Sequence, residues 1–502
     1  MNDSENRNIY AVHRQLAVFV LIHVLLWTLL PLFIRGAAHF DSTEALAWGR
    51  TWEFGTNKHP PLSGWLAEGM FRLVGDPDLA VYLLGQICVA AAFIYVYRLA
   101  LRFLEPEIAL LATIFLEGTI YFNFSAIHFN VNLPSMALVP ALMFYFWRAA
   151  QTRRHIYWLV AGLLGGLLML TKYTNAFFGI ALLGWLVFTP QGRVQLRTIG
   201  PWLAAFMAIL VFLPHLAWLA RYNFEPLIYS QNRSTDPSTS RIVIFGAVLE
   251  PVRLFLAQGC NAAATLALWA WLYFRTPRVD RGTRRRPDAF LFYAGALPLL
   301  LLVITSALLG IKTFTKWAYA FISFVPLLLS YCLPIKPSPV FIRRMLFLAY
   351  VTMAAFGLGV TIKYLGVTSL TVNIDGRGFA EAMKTIWVES TDRPLRYVGG
   401  EERCVSYVST YLPERPRPIW DMDISVTVWE SESDIRTAGI LAMARTETEY
   451  HEFRLRWPEL PVPRRMDFPF HAHLSRKEGT FTVYYGIILP EDTPRFILES
   501  RN

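Results

Sequence analysis

Residues 15–34 read QLAVFVLIHVLLWTLLPLFI. No Asp, Glu, Lys or Arg interrupts them, and about 20 apolar residues carry a helix across the hydrocarbon of a bilayer. Comparable runs follow at 80–101, 107–123, 131–148, 157–171, 174–189, 199–220, 254–274, 288–310, 317–334 and 343–363. Together they predict a mainly α membrane protein with about eleven spans. Composition agrees. Of 502 residues, 54% are hydrophobic and 17% charged, against about 45–50% and about 25% in soluble domains. A soluble chain this apolar needs a very large core, whereas a membrane protein lets lipid solvate the excess. Collagen-like, disordered and disulfide-scaffold classes are excluded.

The net charge of +10 does not point to nucleic acid, because of where it lies. Residues 370–502 hold 17 of the 47 Lys/Arg and 21 of the 37 Asp/Glu. The surplus belongs to the membrane part, where cytoplasmic loops collect Lys and Arg. With a cytoplasmic N-terminus, the inside segments hold Arg7 and Arg14; Arg98 and Arg102; Arg148, Arg153 and Arg154; Arg193 and Arg197; Arg275, Arg278, Arg281 and Arg284 to Arg286; Lys336, Arg343 and Arg344. Outside loops hold fewer, among them Lys172, Lys312 and Lys316. The odd count places 364–502 outside, with the loop 35–79. Cys88, Cys260 and Cys332 fall in apolar runs, as packed small hydrophobes do, and Cys404 is alone in the tail. The first run is long enough to span and no small-residue cleavage site follows it, so it reads as an anchor and not a cleaved signal.

Two domains follow: 1–366 in the membrane, and 367–502 as a small α/β extracytoplasmic domain. The tail alternates apolar and polar residues at 395–398, 404–408 and 481–489, with Pro-rich joints at 412–418 and 458–463, as strands and turns do. In the outer loop, 43–54 and 62–73 read as amphipathic helices in the membrane interface, with Trp48, Trp52, Phe54, Trp65 and Phe71 at headgroup depth. No pair of broken spans marks a midplane transport site.

The richest chemistry lies in Phe40–Trp65, FDSTEALAWGRTWEFGTNKHPPLSGW. Asp41 and Glu44 are three residues apart, on one face of a helical turn. Paired carboxylates suit a general base for a hydroxyl or a metal. Lys58 and His59 precede Pro60-Pro61, and a Lys there can hold a phosphate as a point charge. Without chemistry, Asp41 is a helix cap and Lys58 a lipid-headgroup contact. Lys172, near a span end, can serve the helix dipole or a phosphate. Glu117 and Glu250 adjoin apolar runs near span ends, from which they can reach water. His215 reads as a packed or interfacial histidine. No C-x-x-C, H-E-x-x-H or P-loop motif occurs.

Asp41, with His59-Pro60-Pro61-Leu62 eighteen residues on and Trp65 beyond, resembles the first outer loop of bacterial polyprenyl-phosphate-sugar-dependent glycosyltransferases. These are GT-C-fold enzymes of glycosyltransferase family 39, like the protein O-mannosyltransferases, and are related to lipid A aminoarabinose transferase. Leu170-Thr171-Lys172-Tyr173, the stretch Pro214 to Arg233 with Trp218 and Tyr229, Lys316-Trp317, and Arg396 to Gly400 resemble further family segments. The resemblance implies inverting transfer from a lipid-phosphate-linked sugar, of undecaprenyl-phosphate type, to a glycan, lipid or protein acceptor. It implies Asp41 as catalytic base; Ser42 stands where many members have a second acid, and either Glu44 supplies that acid or the pair is dispensable. Lys58, His59, Lys172, Tyr173, Tyr229 and Arg233 are implied for donor phosphate and substrate. The next outer loop, Ile127 to Asn132, has no acid, so no cofactor is assigned and a divalent metal stays open but without support. The expected place is the bacterial inner membrane, in contact with membrane lipids and with no nucleic-acid partner. The alternatives are a secondary transporter and a non-catalytic envelope assembly protein. The tail shows no catalytic constellation and reads by default as a scaffold, with binding of acceptor or a partner as the other role open to it.

The orientation is directly testable. A reporter active only in the periplasm should work when fused after Asn502 and fail near Arg285; the reverse pattern overturns the orientation.

Overall fold

The computed structural model describes residues 3–235, 243–277, 288–309, 315–332, 335–336, 338–366, 373–471 and 478–491. Its membrane part is helical: α1 Asp3–Ile34, α2 Phe40–Gly49, α3 Leu62–Val74, α4 Pro77–Ala100, α5 Pro106–Ile114, α6 Asn132–Thr152, α7 His155–Met169, α8 Ala176–Phe188, α9 Pro190–Leu196, α10 Gly200–Arg221, α11 Glu225–Thr235, α12 Val243–Asn261, α13 Ala263–Arg275, α14 Ala289–Leu291, α15 Leu297–Leu309, α16 Val325–Cys332 and α17 Pro339–Gly366. Prolines open α4, α5 and α9, where a missing N–H costs no hydrogen bond.

Every expected span contains helix. Five described helices are long and apolar enough to cross a membrane, or six if Tyr173–Phe188 and Pro190–Leu196, bent by 96°, count as one. The expectation of unbroken spans is corrected. The run 107–123 gives α5 and then two 3₁₀ turns, Phe115–Gly118 and Ile120–Phe122. The run 317–334 opens with 3₁₀ turns at Thr315–Ala318 and Ala320–Ile322. Side chains take over the backbone bonds at the first break: Asn123 Nδ2 donates to the carbonyls of Glu117 and Thr119 at 2.5 and 3.1 Å. Cys88 is buried, but Cys260 and Cys332 are exposed rather than packed.

The tail folds as expected into a small α/β unit. A five-stranded sheet has the order β2-β1-β3-β5-β4, from β1 Tyr397–Gly400, β2 Arg417–Trp420, β3 Ile440–Ala444, β4 Arg464–His471 and β5 Glu478–Ile488. β1 pairs in parallel with β2 and β3, while β5 is antiparallel to β3 and β4. Helices α18 Gly376–Ser390, α19 Glu402–Tyr411, α20 Glu432–Ala438 and α21 Glu447–Arg456 accompany it. Trp387, Trp420, Val398, Cys404 and Val483 are fully buried in its core.

The second correction concerns α2. It does not lie in an interface: residues 42–49 are all buried, with α3 on one side and α19 on the other. Gly49 and Gly64 make the α2–α3 crossing possible, since a Cβ on Gly49 would overlap the Gly64 carbonyl. Trp52, Phe54 and Leu73, farther along, stay exposed.

Glu117 is corrected as well. It is fully buried and does not reach water; the side chain of Glu250 lies outside the described residues. His23 is held between Glu117 Oε2 at 2.7 Å and Gln86 Oε1 at 3.2 Å, and Trp27 Nε1 donates to Glu117 Oε1 at 3.4 Å. This cluster ties α1, α4 and the first 3₁₀ turn together. Removing one partner strands the others, at about 1–3 kcal/mol per orphaned group. Glu117→Ala should therefore lower the thermal midpoint of the purified protein, and His23→Leu combined with Glu117→Leu should recover part of the loss. An unchanged midpoint for Glu117→Ala removes the cluster from the stability of the bundle.

Candidate active site

A cleft of about 850 Å³ opens beside α2, where α6 begins and α7 ends, with α19 of the tail at its wall. Seven of the eight residues expected from sequence line it: Asp41, Glu44, Lys58, His59, Lys172, Tyr173 and Tyr229. The eighth, Arg233, falls in α11, and its side chain lies outside the described residues.

The segment before Asp41 is tied down. The Ala38 amide donates to Asp78 Oδ1 at 2.9 Å and to the Tyr411 hydroxyl at 2.8 Å. Gly36 lets residues 373–374 pass, because a Cβ there would meet the Ile374 carbonyl at 2.5 Å. The helix start differs from the expectation: His39 is the N-cap and Asp41 lies in the first turn. The Asp41 amide donates to His39 Nδ1 at 3.2 Å, and the His39 ring stacks on His128 at 4.1 Å. Arg35 Nη1 donates to His128 Nε2 at 3.2 Å. Burial, together with Arg35, Lys316 and Arg403, pushes His39 down to about 4 against the pull of Asp41, so its imidazole is neutral at pH 7.

Asp41 Oδ2 accepts from Lys316 Nζ at 3.1 Å. Burial opposes ionisation of Asp41, but His39, Lys316 and Lys58 outweigh it and hold the carboxyl below its ordinary value. Glu44, one turn on, has the opposite fate. Burial, with Glu402 and Asp41 nearby, pushes it up to about 7 in spite of Lys58. Lys58 Nζ sits 2.7 Å from Glu44 Oε1 and also pairs with Glu402, while lying 5.7 Å from the Phe40 and Tyr229 ring centroids. Burial disfavours the ammonium, but the two carboxylates reverse this and raise its pKa. The charge of Lys58 is thus already balanced inside the protein.

The His59-Pro60-Pro61-Leu62 loop is closed by Thr56, whose hydroxyl oxygen accepts from the Lys58 and His59 amides at 3.2 and 2.9 Å. The Leu62 amide donates to the Leu170 carbonyl at 3.0 Å. That bond sets the loop beside Lys172, whose Nζ donates to Asn132 Oδ1 at 3.0 Å and stands 5.2 Å from the Trp317 ring centroid. Tyr173 donates to His215 Nε2 at 2.9 Å, and His215 Nδ1 donates to the Phe54 carbonyl at 2.6 Å. His215 is therefore packed, as its sequence setting suggests. Ser42 is buried and donates to the Phe129 carbonyl at 3.0 Å.

Sequence reasoning missed His39, Asn132, Glu402 and Arg403. Lys316, an outside-loop cation in sequence, reaches Asp41. The tail carried no visible catalytic constellation, yet α19 brings Glu402 and Arg403 to the cleft. Among the described residues, no group of three or more His, Cys, Asp and Glu side chains is placed to hold a metal ion.

Lifting the Glu44 proton is the property most open to measurement. Folded Glu44 binds its proton more tightly than the unfolded chain does, so stability from this group falls as pH rises from about 4.5 to about 7. Glu44→Gln should lose that decline in the thermal midpoint and lose a carboxyl infrared band titrating near 7. A band that persists places the ionisation on another group.

Residues 58–218 match the dolichyl-phosphate-mannose-protein mannosyltransferase family. Lipid A galacturonosyltransferase RgtD of Rhizobium johnstonii is 24% identical over 312 residues, covering 60% of this chain and 62% of the relative. The chain thus spans about three-fifths of that curated relative's length. Among solved structures, ArnT from Cupriavidus metallidurans bound to undecaprenyl phosphate superposes with a TM-score of 0.56 at 12% identity, over 95% of this chain and 98% of that one. Its apo form gives 0.55 at 13% identity, over the same shares of each chain. The chain shares the fold of ArnT over nearly its whole length, and its residues 58–218 resemble the mannosyltransferase family.

Proposed function

We propose that this protein is an integral membrane glycosyltransferase. It takes a sugar from a polyprenyl-phosphate donor, of undecaprenyl-phosphate type, and passes it to an envelope glycan, lipid or protein with inversion. Residues 1–366 hold the transferase machinery. Residues 367–502 form an extracytoplasmic domain that completes the cleft. The protein works at the outer face of the bacterial inner membrane, with its N-terminus in the cytoplasm and the tail in the periplasm. One observation carries this reading: the Asp41 carboxylate, bonded to Lys316, shares a single cleft with Lys172, Lys316 and Arg403. The relative named for lipid A and the ArnT structure holding undecaprenyl phosphate support the acceptor and donor classes.

The chemistry follows from charge. The donor phosphate draws Lys316 and Lys172 toward itself. Asp41 loses the cation that depresses its basicity and becomes a better proton acceptor. The acceptor hydroxyl oxygen attacks the anomeric carbon while its proton passes to Asp41. The bond from that carbon to the phosphate oxygen breaks, and the departing phosphate keeps the electron pair against the cations. His39, neutral and stacked on His128, keeps the Asp41 turn in place. Lys58 orders α2 through Glu44 and does not meet the phosphate. The cleft opens at one end of the bundle and includes tail side chains, which favours transfer at a surface over passage through the midplane.

Asp41→Asn should keep the fold and lower transfer from lipid-linked donor by about 10²–10⁴. Lys172→Ala and Lys316→Ala should raise KM for that donor, and nucleotide sugars should give no turnover. Near-wild-type rates for Asp41→Asn remove it from the base role, and efficient use of a nucleotide sugar overturns the whole reading.

A further inference from the structure

The opposite end of the bundle gathers cations of a different kind. The guanidinium carbons of Arg98, Arg102 and Arg148 lie 5.4, 5.8 and 6.0 Å from one point, the centroid of the Phe144 ring. Arg98 and Arg102 come from the end of α4 and the residues just after it, and Arg148 from the last turns of α6. Asn132 opens α6 at the catalytic cleft. At 1.5 Å per residue, Arg148 is ~24 Å farther along the axis.

Among the described residues, none of the three arginines meets a carboxylate. Their recorded neighbours are aromatic: Tyr95 for Arg98, Trp147 for Arg102, and Tyr157, at 4.5 Å, for Arg148. Setting the membrane orientation needs positive charge in this loop region, but not its convergence. Two helices here bring three like charges onto a single ring, where they repel one another and attract an anion.

Beside them a cleft of about 610 Å³ runs between α1 and α4. Its walls are apolar, including Leu16, Val20, Leu21, Val24 and Ile94, and Arg98 and Arg102 line its end. Two of the three arginines thus belong both to the cation cluster and to the groove. A soluble anion would use the arginines and leave the groove empty. A neutral lipid would fill the groove and gain nothing from the arginines. An anionic lipid uses both. We propose that this is a binding site for an anionic phospholipid of the leaflet opposite the active cleft. The headgroup phosphate lies against Arg98, Arg102 and Arg148, and an acyl chain lies along α1 and α4. The site is independent of the proposed transferase chemistry.

Native mass spectrometry of the detergent-solubilised full chain, titrated with phosphatidylglycerol or phosphatidylcholine, tests this. The wild type should retain phosphatidylglycerol at least tenfold more tightly. Each arginine replaced by Gln should cost about fivefold at low salt, and the triple Arg→Gln variant should lose the preference. The triple Arg→Lys variant, which keeps the charge, should retain most of it and guards against a folding defect. Val24→Trp, which fills the groove away from the arginines, should weaken phosphatidylglycerol binding as well. Equal retention of both lipids by the wild type overturns the site. So does an undiminished preference in the triple Arg→Gln variant. Unchanged binding in Val24→Trp overturns the lipid assignment, since the anion is then held without its chain.

Discussion

A buried ammonium joins the two halves of this protein. Lys58 is 7% exposed and lies between Glu44 of α2 and Glu402 of α19. Taking such a charge out of water costs several kcal/mol, and only close partners offset it. The loop that carries Lys58 is therefore bound to α2 and to the C-terminal domain at once. α2 cannot slide or rotate without leaving that charge unpaired. Asp41, one turn before Glu44, inherits a fixed position at the mouth of the cleft. A second buried pair, Arg415 Nη1 to Glu68 Oε2 at 2.7 Å, makes the same kind of link from the C-terminal domain to α3.

Two carboxylates on one short helix end in different electrostatic states. Asp41 is met by Lys316 and stays ionised; Glu44 is more deeply enclosed and rises to about 7. Their environments, not their residue types, divide the work, and a pair whose pKa values are driven apart is suited to separate roles. Asp41 faces the cleft, whereas Glu44 faces Lys58. The C-terminal domain takes part in this division. Glu402 helps to hold Lys58, and Arg403 adds a cation to the cleft rim. A tail that looks like a scaffold in isolation is a wall of the site.

Much of the architecture is a local property of the chain. Whether a run such as 15–34 can cross a membrane depends on its own length and polarity, because lipid offers no partner for a stray charge. The helical spans and the α/β tail were legible for that reason. So were Asp41 and the His59 to Leu62 loop, whose residues lie close together in sequence. What covers a helix is not local. The apolar face of 43–54 showed that something buries it, but not that α19 rather than lipid does so. Broken spans escaped notice because apolar composition continues through the 3₁₀ turns, while the break is made by Asn123 bonding back to Glu117 and Thr119.

The sequence by itself determined a membrane protein of helical spans with a small mixed C-terminal domain, and it picked out many of the side chains that line the cleft. Only the tertiary structure decided who partners whom. Asp41 meets Lys316, Lys58 meets Glu402, and Arg98 meets Arg148 across Phe144. The members of these sets are tens to hundreds of positions apart, and no spacing rule links them. Charge states follow from such meetings and from burial. That is why Lys58 reads in sequence as a phosphate ligand and stands in the fold as the bolt between two carboxylates.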